Sequence, residues 1–180
     1  MSDTTSDIEQ ARYPIGRFDM KAERTAATRA QAIVDIEQLP ARMRAAVGSL
    51  DPAVIDTPYR EGGWTIRQLV HHVADSHMNG YIRLKFTLTE DNPALKGYQE
   101  ALWAELPDSK GEVETSLRIL DGVHVRWAAL WRSMTPDQFA RTFQHSQYGP
   151  FTLDALVHLY GWHSRHHVAH ITTRLAKRAD

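Results

Sequence analysis

The fold of the chain is indicated most clearly by one stretch, GGWTIRQLVHHVADSHM, which spans residues 62–78. Thr65 followed three residues later by Gln68 is a capping box, a pair of side chains that bond each other's backbone N–H groups at a helix start. Apolar residues then recur with helical spacing. We therefore predict a helix from about Thr65 to Thr89, preceded by a double glycine.

Three further segments have the same helical periodicity. They span about residues 22–39, 109–134 and 152–175, and the middle one follows a second predicted capping box, Ser109–Glu112. In the first, Pro40 is expected to stop, kink or restart the helix before Met43 and Val47. Four amphipathic helices without alternating strands predict an all-α, antiparallel four-helix bundle.

The connecting segments carry weaker signals. Residues 1–20 are interpreted as an N-terminal arm without a helix, and residues 13–18 of this arm are expected to pack across the bundle. A short helical turn is predicted at Thr135-Pro136. The stretch 143–151, which contains Tyr148-Gly149-Pro150, is expected to form a loop or a small hairpin.

Composition narrows the class of protein. With 180 residues and 42% hydrophobic side chains, we expect one domain spanning residues 1–180. A net charge of −1 makes nucleic acid an unexpected partner, and the lack of cysteine excludes disulfides and thiolate ligands. No signal peptide or membrane-spanning stretch is evident, so a soluble, cytoplasmic protein with no membrane partner is expected.

Seven of the ten histidines fall into two of the predicted helices. They are His71, His72 and His77 in the second helix, and His163, His166, His167 and His170 in the fourth. Histidines four residues apart lie on the same face of a helix, so that both can reach one metal ion.

A helical wheel distinguishes the candidate ligands. It turns His163 and His167 toward the apolar face of the fourth helix, and it places His72 at the border of the core and His71 toward water. Three neutral imidazoles leave one position of a tetrahedral ion open, as in catalytic zinc sites. Histidines that are merely exposed or hydrogen-bonded would give the same sequence pattern, so the residues alone leave that alternative open.

Two other metal motifs are excluded. Ser164 follows His163 where a His-Glu-x-x-His protease has glutamate, and no Glu-x-x-His pair is present for a di-iron bundle. A carboxylate base beside the ligands is therefore not indicated.

The stretches GWTIRQLVHHVADSH (residues 63–77) and WHSRHHVAHI (residues 162–171), with YPIG at 13–16 and YIR at 81–83, resemble the DinB/YfiT-like superfamily, specifically its YfiT branch. The resemblance implies an up-down-down-up bundle that is often dimeric, so we expect a homodimer. It also implies one zinc or nickel ion per subunit, held by His72, His163 and His167.

For activity, the resemblance implies a metal-dependent hydrolase or a bacillithiol S-transferase. We favour a thiol S-transferase, in which a low-molecular-weight thiol takes the open position and attacks an electrophilic small molecule. The hydrolase alternative activates water at the same position. A non-catalytic stress-response bundle with a structural metal would need a fourth protein ligand, for which His71, His77 and His170 are badly aimed.

Three other signals are weaker. Asp75 is either a hydrogen-bond partner of a ligand or solvated, and Arg83 either binds a substrate carboxylate or forms a surface ion pair. The tryptophans, Trp64, Trp103, Trp127 and Trp131, are expected in the core and in the wall of a pocket. No catalytic side chain is assigned.

Overall fold

The computed structural model describes residues 5–179 of the protein, and four long helices dominate this part of the chain. The long helices are α2 (Ala26–Gly48), α4 (Ile66–Thr89), α6 (Val113–Ser133) and α8 (Leu153–Ala179). Shorter segments connect them: α1 (Thr5–Arg12), α3 (Pro52–Ile55), α5 (Glu100–Trp103), the 3₁₀ turn Pro107–Lys110 and α7 (Pro136–Phe139). The predicted all-α four-helix bundle is confirmed.

The relative directions of the four helices follow from the side chains that meet between them. The pairs are Thr28–His158 and Asp35–Arg165 (α2–α8), Glu37–Arg132 and Arg44–Glu114 (α2–α6), His71–Ser116 and His77–His124 (α4–α6), and His72–His167 and Arg83–Tyr160 (α4–α8). Residue numbers rise together in α2–α8 and in α4–α6, so these pairs are parallel, whereas the other two pairs are antiparallel. The result is the predicted up-down-down-up bundle.

Helix α2 continues through Pro40 to Gly48, so the proline does not end the helix. Proline lacks an N–H group, which leaves the carbonyl of Ile36, four residues earlier, without its helical donor. His124 of α6 takes that place, because its Nδ1 atom lies 2.5 Å from the Ile36 carbonyl oxygen. A histidine on a neighbouring helix therefore compensates the defect that the proline creates.

The starts of α2 and α4 are set by capping boxes. Gln68 donates its backbone N–H to Thr65 Oγ1 at 3.1 Å and accepts from the Thr65 N–H at 3.0 Å, as the sequence predicted for α4. A second box joins Thr25 and Thr28, so α2 begins at Ala26 and not at residue 22 as predicted.

The capping box predicted at Ser109–Glu112 is wrong. Ser109 donates its hydroxyl to the Trp103 carbonyl at 3.1 Å within the loop before α6, and the helix begins at Val113 without a side-chain cap. At the other end of the bundle, the predicted helical turn at Thr135 is confirmed as α7. Helix α8 extends to Ala179, which is beyond the predicted end near residue 175.

Two glycines let the helices approach closely beside the candidate site. A Cβ atom on Gly80 of α4 would lie 2.5 Å from the Tyr160 ring and 2.8 Å from the Trp127 ring. On α8, a Cβ atom on Gly161 would lie 2.8 Å from Ala32 of α2. Since real Cβ contacts are longer than this, any side chain at these two positions would force neighbouring groups apart.

A small sheet closes one end of the bundle. The strands β2 (Thr142–His145) and β3 (Gly149–Thr152) form the hairpin that was one of the two expectations for this region. Strand β1 (Ala94–Leu95) adds to it in parallel with β2. In the segment between β1 and α5, Gly97 donates its N–H to Ser146 Oγ at 2.8 Å in the turn that joins β2 and β3.

The N-terminal arm packs across the bundle at residues 13–18, as predicted. The Trp162 indole N–H donates to the Gly16 carbonyl at 3.2 Å, Phe18 packs against Trp162, and the Tyr13 ring stacks on His166. The expectation of no helix in the arm was wrong, because residues 5–12 form α1. Residues 1–4 of the predicted arm lie outside the described residues. No helix among residues 5–179 is long and apolar enough to cross a membrane.

Candidate metal centre

The antiparallel contact between α4 and α8 brings the three predicted ligands together. Each of His72, His163 and His167 offers one ring nitrogen, and these nitrogens lie within 4.8 Å of one another. The Nε2 atoms of His163 and His167 are 3.1 Å apart. Such spacing suits lone pairs that converge on one ion, and three imidazoles are a suitable donor set for a divalent metal.

Burial keeps these imidazoles neutral. Removal from water lowers the pKa of His72 to about 4 and the pKa values of His163 and His167 well below the ordinary 6.5, with smaller contributions from the neighbouring histidines. A histidine must be neutral at the ligating nitrogen to bind a metal. The site is therefore in the protonation state for metal binding at neutral pH.

His170 fixes the tautomer of His167. A carbonyl oxygen can only accept, so His170 Nε2, 3.1 Å from the Arg12 carbonyl, must carry the proton. Burial lowers the pKa of His170 to about 4, so its Nδ1 is then an acceptor. His167 Nδ1, 3.3 Å away, donates to it, and the lone pair of His167 Nε2 points toward His163.

His77 lies behind His163 in the same way that His170 lies behind His167. Its Nε2 lies 2.9 Å from His163 Nδ1, and its ring is fully buried on α4. When His163 Nε2 offers its lone pair to an ion, His163 Nδ1 carries the proton and donates to His77. The sequence predicts that His77 and His170 are badly aimed as ligands. In the structure each lies within hydrogen-bond distance of a candidate ligand, His77 of His163 and His170 of His167.

His72 has no such partner within the described residues and is held by ring contacts. Its imidazole packs on Trp64, with ring centroids 4.6 Å apart, and faces His167 edge-on. Trp64 therefore lies in the wall of the site, as the sequence predicts for this residue.

A second group of histidines, His166, His167 and His170, also has nitrogens within 4.8 Å of one another. It is a poorer site, because His170 uses one nitrogen for the Arg12 carbonyl and the other for His167. His166 stacks on Trp162 at 4.2 Å under the N-terminal arm. The first group is consequently the better candidate.

The prediction that His71 points to water was wrong. It is buried, with Nδ1 2.7 Å from Ser116 Oγ and Nε2 3.1 Å from the Gly111 carbonyl. The wheel treated α4 as having one buried face, but α6 and the turn before it cover a second one. His71 is therefore a structural histidine.

Two spaces in the protein meet at the candidate centre. The outer cleft, about 370 Å³, is bordered by the three candidate ligands and by Arg12, Tyr59, Arg60 and Trp64. The inner cavity, about 220 Å³, is lined by Arg83, Tyr98, Glu100, His145, Tyr160 and His163 among others. His163, Trp162 and Glu100 line both spaces, so they mark the junction.

Sequence reasoning missed Glu100. It lies on the short helix α5, far from any metal motif in sequence, and only the fold places it in the lining of the cleft that His72 and His163 also border. Burial raises its carboxyl pKa above the ordinary value. Asp75, the carboxylate considered from the sequence, makes no hydrogen bond to the three candidate ligands within residues 5–179. Its pKa is raised to about 6, mainly by burial and also by Asp108.

Comparison with known proteins agrees with this fold. A family model described as the DinB superfamily matches residues 35–171. A Bacillus cereus protein named "Putative metal-dependent hydrolase" is 52% identical over 96% of this chain and 99% of its own length. A Bacillus mycoides protein of the same name is 49% identical over 92% and 96%.

One solved structure extends the likeness to three dimensions. YfiT from Bacillus subtilis, described as "a probable metal-dependent hydrolase with an unusual four-helix bundle topology", superposes with a TM-score of 0.89 at 44% identity. The match covers 94% of this chain and 98% of the other.

Proposed function

This chain belongs to the DinB superfamily, and from that premise we propose that it is a metal-dependent hydrolase acting on a small molecule. The observation that carries the proposal is the meeting of three imidazole nitrogens, all within 4.8 Å, with the carboxylate of Glu100 at the junction of two spaces. The names of the relatives point to the same class of reaction.

His72, His163 and His167 would hold the ion, which is expected to be zinc or nickel. When bound, a divalent ion of this kind lowers the pKa of a water molecule to about 7 and polarises a carbonyl group. The protein's own contribution is to keep the three imidazoles neutral and to fix His167, through His170, in the tautomer that frees Nε2. His77 can accept from His163 Nδ1 when His163 Nε2 offers its lone pair to the ion.

Glu100 supplies the group that the sequence analysis did not find. Its carboxylate at the junction would accept the proton of the attacking water and return it to the leaving group. Partial removal from water raises the pKa of this carboxyl group above the ordinary value, which makes it a stronger base than a fully solvated glutamate. The thiol transferase was favoured partly because no carboxylate base was evident, and Glu100 removes that reason.

The thiol S-transferase is the second candidate. The outer cleft has the size for a low-molecular-weight thiol, and Arg12 and Arg60 border it with positive charge. Three neutral imidazoles also leave the charge of a divalent ion uncompensated, which favours an anionic thiolate. In this version an electrophilic small molecule would occupy the inner cavity.

The test is turnover by protein loaded with zinc or nickel, on a panel of esters, amides and alkylating electrophiles, with and without added thiols. The hydrolase proposal predicts hydrolysis that needs no thiol. Glu100→Gln is expected to lower kcat on the order of 10²–10⁴-fold while metal content stays unchanged.

Alanine at His72, His163 or His167 should abolish metal retention, whereas His71→Gln, a change at a buried histidine outside the site, should not. Transfer that requires a thiol, with no hydrolysis in its absence, would favour the transferase. Full activity in Glu100→Gln would remove that residue from the mechanism.

A further inference from the structure

Arg83 is an arginine without a counterion in the interior of the protein. Its side chain is buried on α4 and is 8% exposed. It donates to the Lys96 carbonyl at 3.2 Å and, over a long 3.4 Å, to the Tyr160 hydroxyl. Its Nε–H has no partner, and no carboxylate forms an ion pair with it, among residues 5–179.

Such an arrangement is costly. A buried charge is normally paired, because removal from water without a partner is strongly unfavourable. Of the two alternatives that the sequence left open for Arg83, the surface ion pair is therefore wrong. A buried guanidinium with an unpartnered N–H, on a residue that lines a cavity of about 220 Å³, has the properties of a group that is completed by a ligand.

The cavity places that ligand close to the candidate metal centre. Arg83 bonds Tyr160, and the Tyr160 ring lies 5.7 Å from the ring of His163, so one side chain separates the guanidinium from a candidate ligand. Phe143 and Phe151 line the same cavity with apolar surface.

We propose that the inner cavity binds a carboxylate group of the substrate at Arg83, with an apolar portion of the substrate against Phe143 and Phe151. The proposal rests on the proposed function in one respect only, namely that the ligand is the substrate of the metal centre. The carboxylate subsite itself requires no metal ion.

The charge of the cavity favours one carboxylate over a phosphate dianion. Arg83 is the only arginine or lysine that lines the inner cavity among the described residues, and Glu100 lies in the same wall. A planar carboxylate can accept two parallel hydrogen bonds from a guanidinium, and Arg83 has its Nε–H free for one of them. The subsite would thus select a small monocarboxylic acid derivative.

The test uses benzoate and its neutral isostere benzamide as probes, titrated by NMR into both metal-loaded and metal-free protein. The Nε–H resonance of Arg83, identified by its absence in Arg83→Gln, should shift with benzoate only. Benzoate should bind roughly tenfold to hundredfold more tightly than benzamide, because a hydrogen bond to a charged group contributes strongly. Arg83→Gln should remove this preference.

Arg141→Gln is the matched control. Among the residues that the structure describes, this arginine also has no acidic partner, but it donates to the Thr87 and Glu90 carbonyls away from the cavity, so the preference should persist in the variant. If Arg83→Gln does not fold, NMR contacts between the benzoate ring protons and Phe143 or Phe151 in the wild-type protein decide whether benzoate binds in the inner cavity.

Equal binding of benzoate and benzamide, or a preference that survives Arg83→Gln, would overturn the proposal. So would a preference that vanishes when the metal is removed, because the carboxylate would then be binding the ion. A preference that persists in metal-free protein, together with no hydrolysis by the metal-loaded protein, would support the subsite and reject the hydrolase.

Discussion

Replacing His77 tests the role of the group behind His163. In His77→Phe, the Nδ1–H of His163 loses the acceptor that lies 2.9 Å away and remains buried without a partner. Leaving a buried donor unsatisfied costs roughly 1–3 kcal/mol. Loss of such outer partners weakens metal binding roughly 10–100-fold, or about 1.4–2.8 kcal/mol. The two estimates agree, so we expect zinc affinity to fall by one to two orders of magnitude.

The assay is competition for zinc with a chromophoric chelator at neutral pH, with circular dichroism as the check on folding. His124→Phe is the matched control, because His124 is buried and stacks on His77 at 4.9 Å but bonds the Ile36 carbonyl instead of a candidate ligand. It should lower stability and leave zinc affinity unchanged. His77→Gln, which retains an acceptor, should recover part of the affinity. Wild-type affinity in folded His77→Phe would refute the reasoning.

Three further predictions concern stability and assembly. Burial lowers the pKa of His124 to about 4, below its unfolded value near 6.5. Between these two pH values the unfolded state binds more protons than the folded state, so metal-free protein should lose stability as pH falls from 6.5 to 4. His124→Phe should reduce that slope by up to ~1.4 kcal/mol per pH unit in urea unfolding, and an unchanged slope would contradict it. Gly80→Ala should destabilise the protein by roughly 1–3 kcal/mol, because the new methyl group meets Tyr160 and Trp127; an unaltered urea midpoint would argue against this packing. The homodimer expected from the family resemblance should sediment at twice the 20.5 kDa of one chain, and a monomer at micromolar concentration would exclude it.

Local patterns in the sequence predicted the long helices and brought out the three candidate ligands. The capping box at Thr65 places the start of α4 correctly, because it depends on residues four positions apart at most. The helical wheel places His163 and His167 on the same face, and this prediction also depends only on residues four positions apart. Chain direction came from family resemblance, and the contacts between helices confirm it.

What the sequence could not predict depends on groups far apart in the chain. Pro40 is tolerated because His124, on another helix, donates to the carbonyl that the proline leaves free. His71 is buried because the segment before α6 covers it. No local motif marks Glu100, and its place in the lining of both spaces depends on the fold. Arg83 was a candidate from the sequence, but only the fold shows that it is buried and lines the inner cavity.

The central claim is that His72, His163 and His167 hold one metal ion and leave a position open. Its most direct test is a crystal structure of the zinc-loaded protein, with anomalous scattering recorded at the zinc edge. We predict one peak among these three histidines, with a non-protein group as the remaining ligand. A peak within the group of His166, His167 and His170, or a fourth protein ligand such as His77, would contradict the account.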